Sequence, residues 1–132
     1  MMGIAKLDED HAKILEAFNT LSQPSVYLDT ILRIQVIEEF LSYATGHLTR
    51  EEKLMRELEY PGYSSHRTAH SELQDAFMGL IKDILKGRIE HGLAVTTIRD
   101  TFIKHIETFD ASLSDWLATP MVNKKKVLYT KF

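Results

Sequence analysis

The chain of 132 residues contains no cysteine, and glycine, proline and tryptophan are scarce. Without thiols it can form no disulfide, no thiolate metal site and no cysteine nucleophile. The 6 glycines and 3 prolines exclude collagen-like and low-complexity chains, and a hydrophobic share of 44% indicates a folded chain of one ordinary domain. Any metal ion would therefore be held by imidazole, carboxylate and water.

A strong charge of one sign and long apolar runs are also missing. The net charge of −3 gives no basic surface of the kind that nucleic acids and anionic membranes require. No apolar run approaches the roughly 20 residues that span a bilayer, and charged residues appear early, before any signal-peptide apolar region. We therefore expect a cytoplasmic protein with neither nucleic-acid nor membrane partners.

The sequence does contain four stretches in which apolar residues recur at helical spacing. They predict helices at residues 9–22 after Asp8 as N-cap, a longer one ending near Glu59, a third capped by Ser64 or Ser65 and ending at Lys86-Gly87, and residues 90–117. Short turns between them predict an all-α, up-down-up-down antiparallel four-helix bundle over residues 1–118. Residues 23–29 are expected to be extended, and the tail 119–132 to pack on the bundle or to bind a partner.

The 6 histidines are distributed unevenly in this bundle. His47 and Glu51, like His66 and His70, are four residues apart, so each pair projects from one helical face. In an antiparallel bundle the start of the first helix, the end of the second, the start of the third and the end of the fourth share one end. Seven side chains meet there: His11, His47, Glu51, His66, His70, His105 and Asp110. His91 belongs to the opposite end and is predicted to be a surface residue.

Metal ions are the simplest explanation for so many polar side chains facing the interior, because burying them unpaired would cost several kcal/mol. Seven ligands are too many for one ion, whereas two ions bridged by the two carboxylates and a solvent oxygen use them all. Imidazole and carboxylate without sulfur suit iron, although manganese and zinc stay open. One irregularity is that His105 and Asp110 are five apart, a poor shared face on an ideal α-helix, so either Asp110 reaches around or the helix is distorted.

The ligand order H, H-x-x-x-E, H-x-x-x-H, H-x-x-x-x-D over residues 8–117 resembles the hemerythrin family, in particular its bacterial single-domain members. That family shows the same five-residue interval before its last ligand. This sequence departs from the family pattern at Asp10, where glutamine is usual, and at Thr101-Phe102, where Trp-Leu is common.

The resemblance implies two non-haem iron ions with an oxo or hydroxo bridge. His66, His70 and His105 would bind one ion, His11 and His47 the other, and Glu51 and Asp110 would bridge them. Dioxygen would bind reversibly at the ion with two histidines, in a pocket lined by Leu48, Phe102 and Ile106. The implied function is oxygen storage, delivery or sensing rather than catalysis. The alternatives are a di-iron enzyme that reduces peroxide or nitric oxide, and a signalling module in which the metal state alters the tail and a partner surface; any protein partner or reductase is unidentified.

Overall fold

The computed structural model describes residues 4–123, and this part of the chain is helical without a strand. The helices are α1 (Ala5–Leu21), α2 (Pro24–Tyr27), α3 (Thr30–Glu57), α4 (Tyr63–Leu85), α5 (His91–His105) and α6 (Ala111–Leu117), with a π-helical segment, Ile106–Asp110, joining α5 to α6. None of these helices is long and apolar enough to cross a membrane.

The long helices form a closed ring in which each packs on two others. Helix α1 contacts α3 and α5, and α4 completes the ring by packing against the same two helices. Neighbours in sequence therefore run antiparallel, and the predicted all-α, up-down-up-down bundle is confirmed. Residues 119–123 follow the bundle with Met121 exposed, while the rest of the predicted tail, residues 124–132, lies outside the described residues.

Several helix ends differ from the sequence prediction. Helix α1 begins four residues before position 9, so Asp8 lies in its first turn and does not cap it. Gly62, not Ser64 or Ser65, precedes the first residue of α4. Residues 23–29 are not extended, because Pro24 occupies the first position of the short helix α2, where a missing amide proton costs nothing.

Other ends follow local rules of helix capping. The Asp29 carboxylate accepts a hydrogen bond from the Leu32 amide at 3.0 Å at the start of α3. Glu90 does the same for α5, accepting from the amides of Gly92 and Leu93 at 2.8 Å each. After α4 the chain reverses at Gly87, whose φ of 68° lies in the left-handed region that glycine adopts without strain.

Two apolar layers lie above and below the polar side chains. The larger holds Ile14, Leu48, Phe102 and other buried residues of all four long helices. The smaller consists of Ile4, Leu7, Leu54, Met55, Leu58, Leu113 and Leu117. Along α1 the order is Leu7, His11, Ile14, so the polar level is enclosed between the two layers. Water is thereby excluded from both ends of this level.

Some apolar residues at helical spacing in the sequence are exposed in the structure. Leu28 is 76% exposed because it precedes α3, in the turn after α2. Ile31 is 71% exposed because the buried stripe of α3 runs back from Phe40 through Val36 and misses it. Leu93, at 58%, faces outward for the same reason, since α5 buries Ala94 and Val95. Helical periodicity predicts which face of a helix is apolar, but it does not predict how far along the helix other elements pack against that face.

Candidate metal centre

The structure brings all seven side chains predicted from the sequence to one level of the bundle. Their ligand atoms form two groups, and within each group all atoms lie within 4.8 Å of one another. One group contains Glu51, His66, His70, His105 and Asp110, and the other His11, His47, Glu51 and Asp110. The two carboxylates belong to both groups, so the geometry divides the five imidazoles into three and two.

The π-helical segment accounts for the five-residue interval between His105 and Asp110. A π turn contains more residues than an α turn, so residues five apart face the same side. Asp110 Oδ1 accordingly lies 3.2 Å from His105 Nε2. Of the two possibilities left open by the sequence, the local distortion is the correct one, and π turns of this kind occur frequently at functional sites.

Short distances tie the carboxylates to the histidines. Glu51 Oε1 lies 2.6 Å from His66 Nε2 and 3.1 Å from His70 Nε2, and its Oε2 lies 3.2 Å from His47 Nε2. On the other side, Asp110 Oδ2 lies 3.0 Å from His11 Nε2. Each carboxylate thus turns one oxygen towards each group of histidines, as a bridging ligand does.

Several atoms at the centre lack the hydrogen bonds that buried polar groups normally make. Among the described residues, Glu51 Oε2, His66 Nε2, His105 Nε2 and Asp110 Oδ1 are buried with no hydrogen-bond partner. Leaving such atoms unsatisfied costs about 1–3 kcal/mol each. They converge on the same small volume, and all are nitrogen or oxygen donors that first-row divalent metals accept. The residues present therefore fit a pair of metal ions.

Without a bound metal ion, protons on the histidines balance part of the negative charge of the buried carboxylates. Burial alone would lower the pKa of His47, but the neighbouring carboxylates of Asp10, Asp110 and Glu51 raise it to about 11. Burial likewise opposes the charged form of His66, whereas Asp110 and Glu51 raise its pKa to about 9. Despite burial, the surrounding histidines hold the pKa values of both carboxylates well below the usual range, His47 contributing most for Glu51 and His105 for Asp110. Metal binding must displace the protons on the imidazoles.

Two histidines turn Nε2 towards the centre and contact further carboxylates with the other ring nitrogen, Nδ1. His47 Nδ1 lies 3.4 Å from Asp10 Oδ2, and Asp10 is 1% exposed. Arg50 fixes Asp10 in place by donating from Nε at 2.8 Å and from Nη2 at 2.6 Å. On α4, His70 Nδ1 lies 3.1 Å from Glu52. Such contacts orient a metal-binding imidazole and keep its inner nitrogen free for the ion.

Asp10 and Arg50 are the residues beside the candidate centre that sequence reasoning missed. Asp10 was notable only as a departure from the resembled family. Arg50 carried no signal, because the two residues are 40 positions apart in the sequence and no local pattern links them. Burial opposes the charge on Asp10, yet hydrogen bonds from His47 and Arg50 lower its pKa to about 2. Asp10 is therefore an anion at neutral pH.

Replacing Asp10 by asparagine is expected to weaken metal binding roughly 10- to 100-fold, the range found when an outer partner of a metal-binding histidine is lost. The amide cannot balance the charge of Arg50, and His47 loses its anionic partner. A Co²⁺ titration followed by visible absorption measures this. Glu9→Gln is the matched control, because the neighbouring Glu9 is exposed and pairs with Lys13 at 2.8 Å. Equal affinities for the two variants would contradict the role given to Asp10.

The three predicted pocket residues differ in their surroundings. The Phe102 ring is 1% exposed and meets the His11 ring edge-on with centroids 6.0 Å apart. Ile106 is partly exposed and lines a groove that reaches His11 and Asp110. Leu48 lies in the larger apolar layer, and its place in a ligand pocket stays a prediction.

His91 is not brought to the centre, and it is not a simple surface residue either. Its Nε2 donates to the Leu21 carbonyl oxygen at 2.8 Å, and its ring stacks on Tyr27 with centroids 4.7 Å apart. The side chain thus joins the start of α5 to the end of α1 at the far end of the bundle.

Comparison with known proteins agrees with this geometry. The family described as Hemerythrin HHE cation binding domain matches residues 2–117. The chain belongs to the hemerythrin family. All seven side chains lie within the matched residues, and so do Asp10 and Arg50. No solved structure gives a significant match.

Relatives of this hemerythrin are similar at low identity. A Bacteriohemerythrin from Stenotrophomonas maltophilia is 32% identical over 69 residues, which cover 52% of this chain and 45% of that protein. A Bacteriohemerythrin from Ralstonia nicotianae is 21% identical over 122 residues, covering 89% and 83%. A Myohemerythrin from Sipunculus nudus is 24% identical over 105 residues, covering 79% and 77%. The match to the Stenotrophomonas protein thus spans less than half of its length.

Proposed function

We propose that this protein binds dioxygen reversibly at a pair of iron ions. The observation that carries the proposal is the presence of two groups of ligand atoms that share Glu51 and Asp110. One shared carboxylate would be ordinary in a buried polar cluster. Two shared carboxylates, each with an oxygen towards both groups, are the arrangement that holds two ions side by side. Membership of the hemerythrin family supports iron as the metal.

The seven candidate ligands would be divided unequally between the two ions. One ion would take three imidazoles and the other two, with both carboxylates bridging. The ion with two imidazoles would have fewer protein ligands, which would leave room for a small external ligand. The proposed ligands are His66, His70 and His105 for one ion, His11 and His47 for the other, and Glu51 and Asp110 for both.

When bound, a pair of reduced irons supplies two electrons to dioxygen and recovers them on its release. The chain supplies the surroundings that make this reversible. Phe102 covers His11 from the core side and keeps water away there. Asp10, fixed by Arg50, holds the His47 ring in one orientation. The buried carboxylates of Glu51 and Asp110 carry two negative charges, which would offset half of the positive charge of two divalent ions.

A second candidate function is reduction of peroxide or nitric oxide at the same centre. The observation that favours it is the groove beside His11, which has a volume of about 250 Å³ and is lined in part by Glu107 and Asp115. Carboxylates exposed to solvent next to a metal ligand bring water and protons close to it. Reversible binding requires their exclusion, whereas reduction of a substrate consumes protons.

Both functions are tested by one anaerobic cycle. The iron-loaded protein is reduced without oxygen, exposed to oxygen while the visible absorption spectrum is recorded, and then returned to an oxygen-free atmosphere. The proposal predicts an absorption band that appears with oxygen and disappears when the gas is removed, over repeated cycles. Immediate, permanent oxidation without that band would contradict reversible binding. Catalytic consumption of added peroxide or nitric oxide by such a protein would establish the second candidate.

A further inference from the structure

A groove on the surface leads to the metal centre from the side of α1. It lies where the π-helical segment and α6 face α1, and it has a volume of about 250 Å³. His11 and Asp110 form its inner part, and Glu107, Ala111 and Asp115 are exposed residues along it. The lining thus includes three carboxylates and, among the described residues, neither lysine nor arginine.

The burial of the candidate ligands indicates that a metal ion enters from this side. The His11 side chain is 14% exposed. None of the other six candidate ligands is more than 5% exposed. An ion arriving from solvent must exchange its water molecules for protein ligands one after another, so it first meets a ligand that solvent still reaches. His11 is that ligand, and the groove is where solvent reaches it.

A buried carboxylate continues this path inward. Asp110 lines the groove although it is 1% exposed, and its Oδ1, 3.2 Å from His105 Nε2, makes no contact with hydrogen-bond geometry within residues 4–123. Its other oxygen contacts His11 Nε2 at 3.0 Å. The order from solvent inward is therefore exposed carboxylates, then His11, then a buried carboxylate that both halves of the centre share.

We propose that this groove is the entry path for divalent iron, with Glu107 and Asp115 attracting the ion before it reaches His11 and Asp110. The proposal rests on the metal centre of the proposed function and adds how that centre is filled. Two carboxylates at the mouth raise the local concentration of a divalent cation and repel anions. Their effect is on the rate of loading, not on final occupancy, because neither belongs to the two groups of ligand atoms.

The test follows the rate at which the metal-free full-length protein takes up Co²⁺, measured by stopped-flow absorption. Glu107→Gln combined with Asp115→Asn is expected to slow loading roughly tenfold at low ionic strength, and much less at high salt because salt screens exposed charges. The final cobalt content is expected to be unchanged. Ala111→Phe, which narrows the groove without changing charge, is expected to slow loading to an extent that salt does not alter.

The matched control is Glu72→Gln combined with Asp75→Asn. Both residues are exposed on α4, which contacts α3 and α5 and lies across the bundle from α1. This variant changes the net charge equally and is expected to load at the wild-type rate. Unchanged rates in both groove variants, with normal cobalt content, would overturn the entry path alone. A wild-type protein that binds no cobalt and no iron would overturn the metal centre and this proposal together.

Discussion

Replacing Glu51 by alanine is expected to reduce the metal content from two ions per chain to one or none. Glu51 is fully buried and belongs to both groups of ligand atoms, so its loss removes a ligand from each ion at once. The three-imidazole group would keep four of its five ligands, whereas the other would keep His11, His47 and Asp110. The second ion is therefore expected to be lost first. Metal analysis of the purified variant after iron loading measures this.

Two further variants make the result of Glu51→Ala interpretable. Glu57→Ala alters an exposed carboxylate on the same helix, paired with Lys53 at 3.9 Å, and is expected to keep two ions. Glu51→Gln keeps the size of the side chain and removes its charge, so a loss of metal in this variant is not the result of a cavity. Circular dichroism checks that each variant is folded before its metal content is compared. Two ions per chain in Glu51→Ala would show that Glu51 does not bridge.

Removing the metal from the wild-type protein is expected to lower the melting temperature by roughly 10 °C or more. A ligand that binds the folded chain alone stabilises it by mass action, about 4 kcal/mol at a thousandfold excess over its dissociation constant. The metal-free centre also leaves buried atoms of Glu51, His66, His105 and Asp110 unsatisfied. The bundle itself remains folded, because the two apolar layers are independent of the metal. Calorimetry with and without bound iron measures the difference.

The Glu51→Ala variant provides the control for metal removal. Its melting temperature is expected to respond weakly to iron and to chelator, because little iron is bound. If the wild-type protein melted at the same temperature with and without metal, the centre would contribute nothing to stability, and tight metal binding at these residues would be contradicted.

Much of the fold and of the candidate centre could be predicted from the sequence because it depends on local periodicity. Pairs four residues apart, such as His47 with Glu51, must share a helical face. Antiparallel packing then brings the ends of successive helices to one level. Six side chains from the four long helices and Asp110 of the π-helical segment converge there for this reason. The metal itself does not follow from this argument, since several ions accept the same donors.

The remaining features depend on contacts that local patterns do not encode. The five-residue spacing between His105 and Asp110 allowed either a side chain that reaches around the helix or a distorted helix. The backbone of the structure shows a π turn. The contact between Asp10 and Arg50 joins helices α1 and α3 at positions 40 apart. Ile31 fits a helical apolar pattern and is nevertheless exposed, because no other helix within residues 4–123 covers it. Each difference arises from packing between helices. The sequence alone predicts which face of a helix is apolar, but not which residues pack against that face.

The most direct test of the proposed centre is anomalous X-ray diffraction at the iron edge from crystals of the iron-loaded protein. The account predicts two peaks about 3.5–4 Å apart, the spacing usual in two-metal sites, enclosed by the seven side chains and bridged by Glu51 and Asp110. A single peak, or peaks outside this level of the bundle, would contradict it.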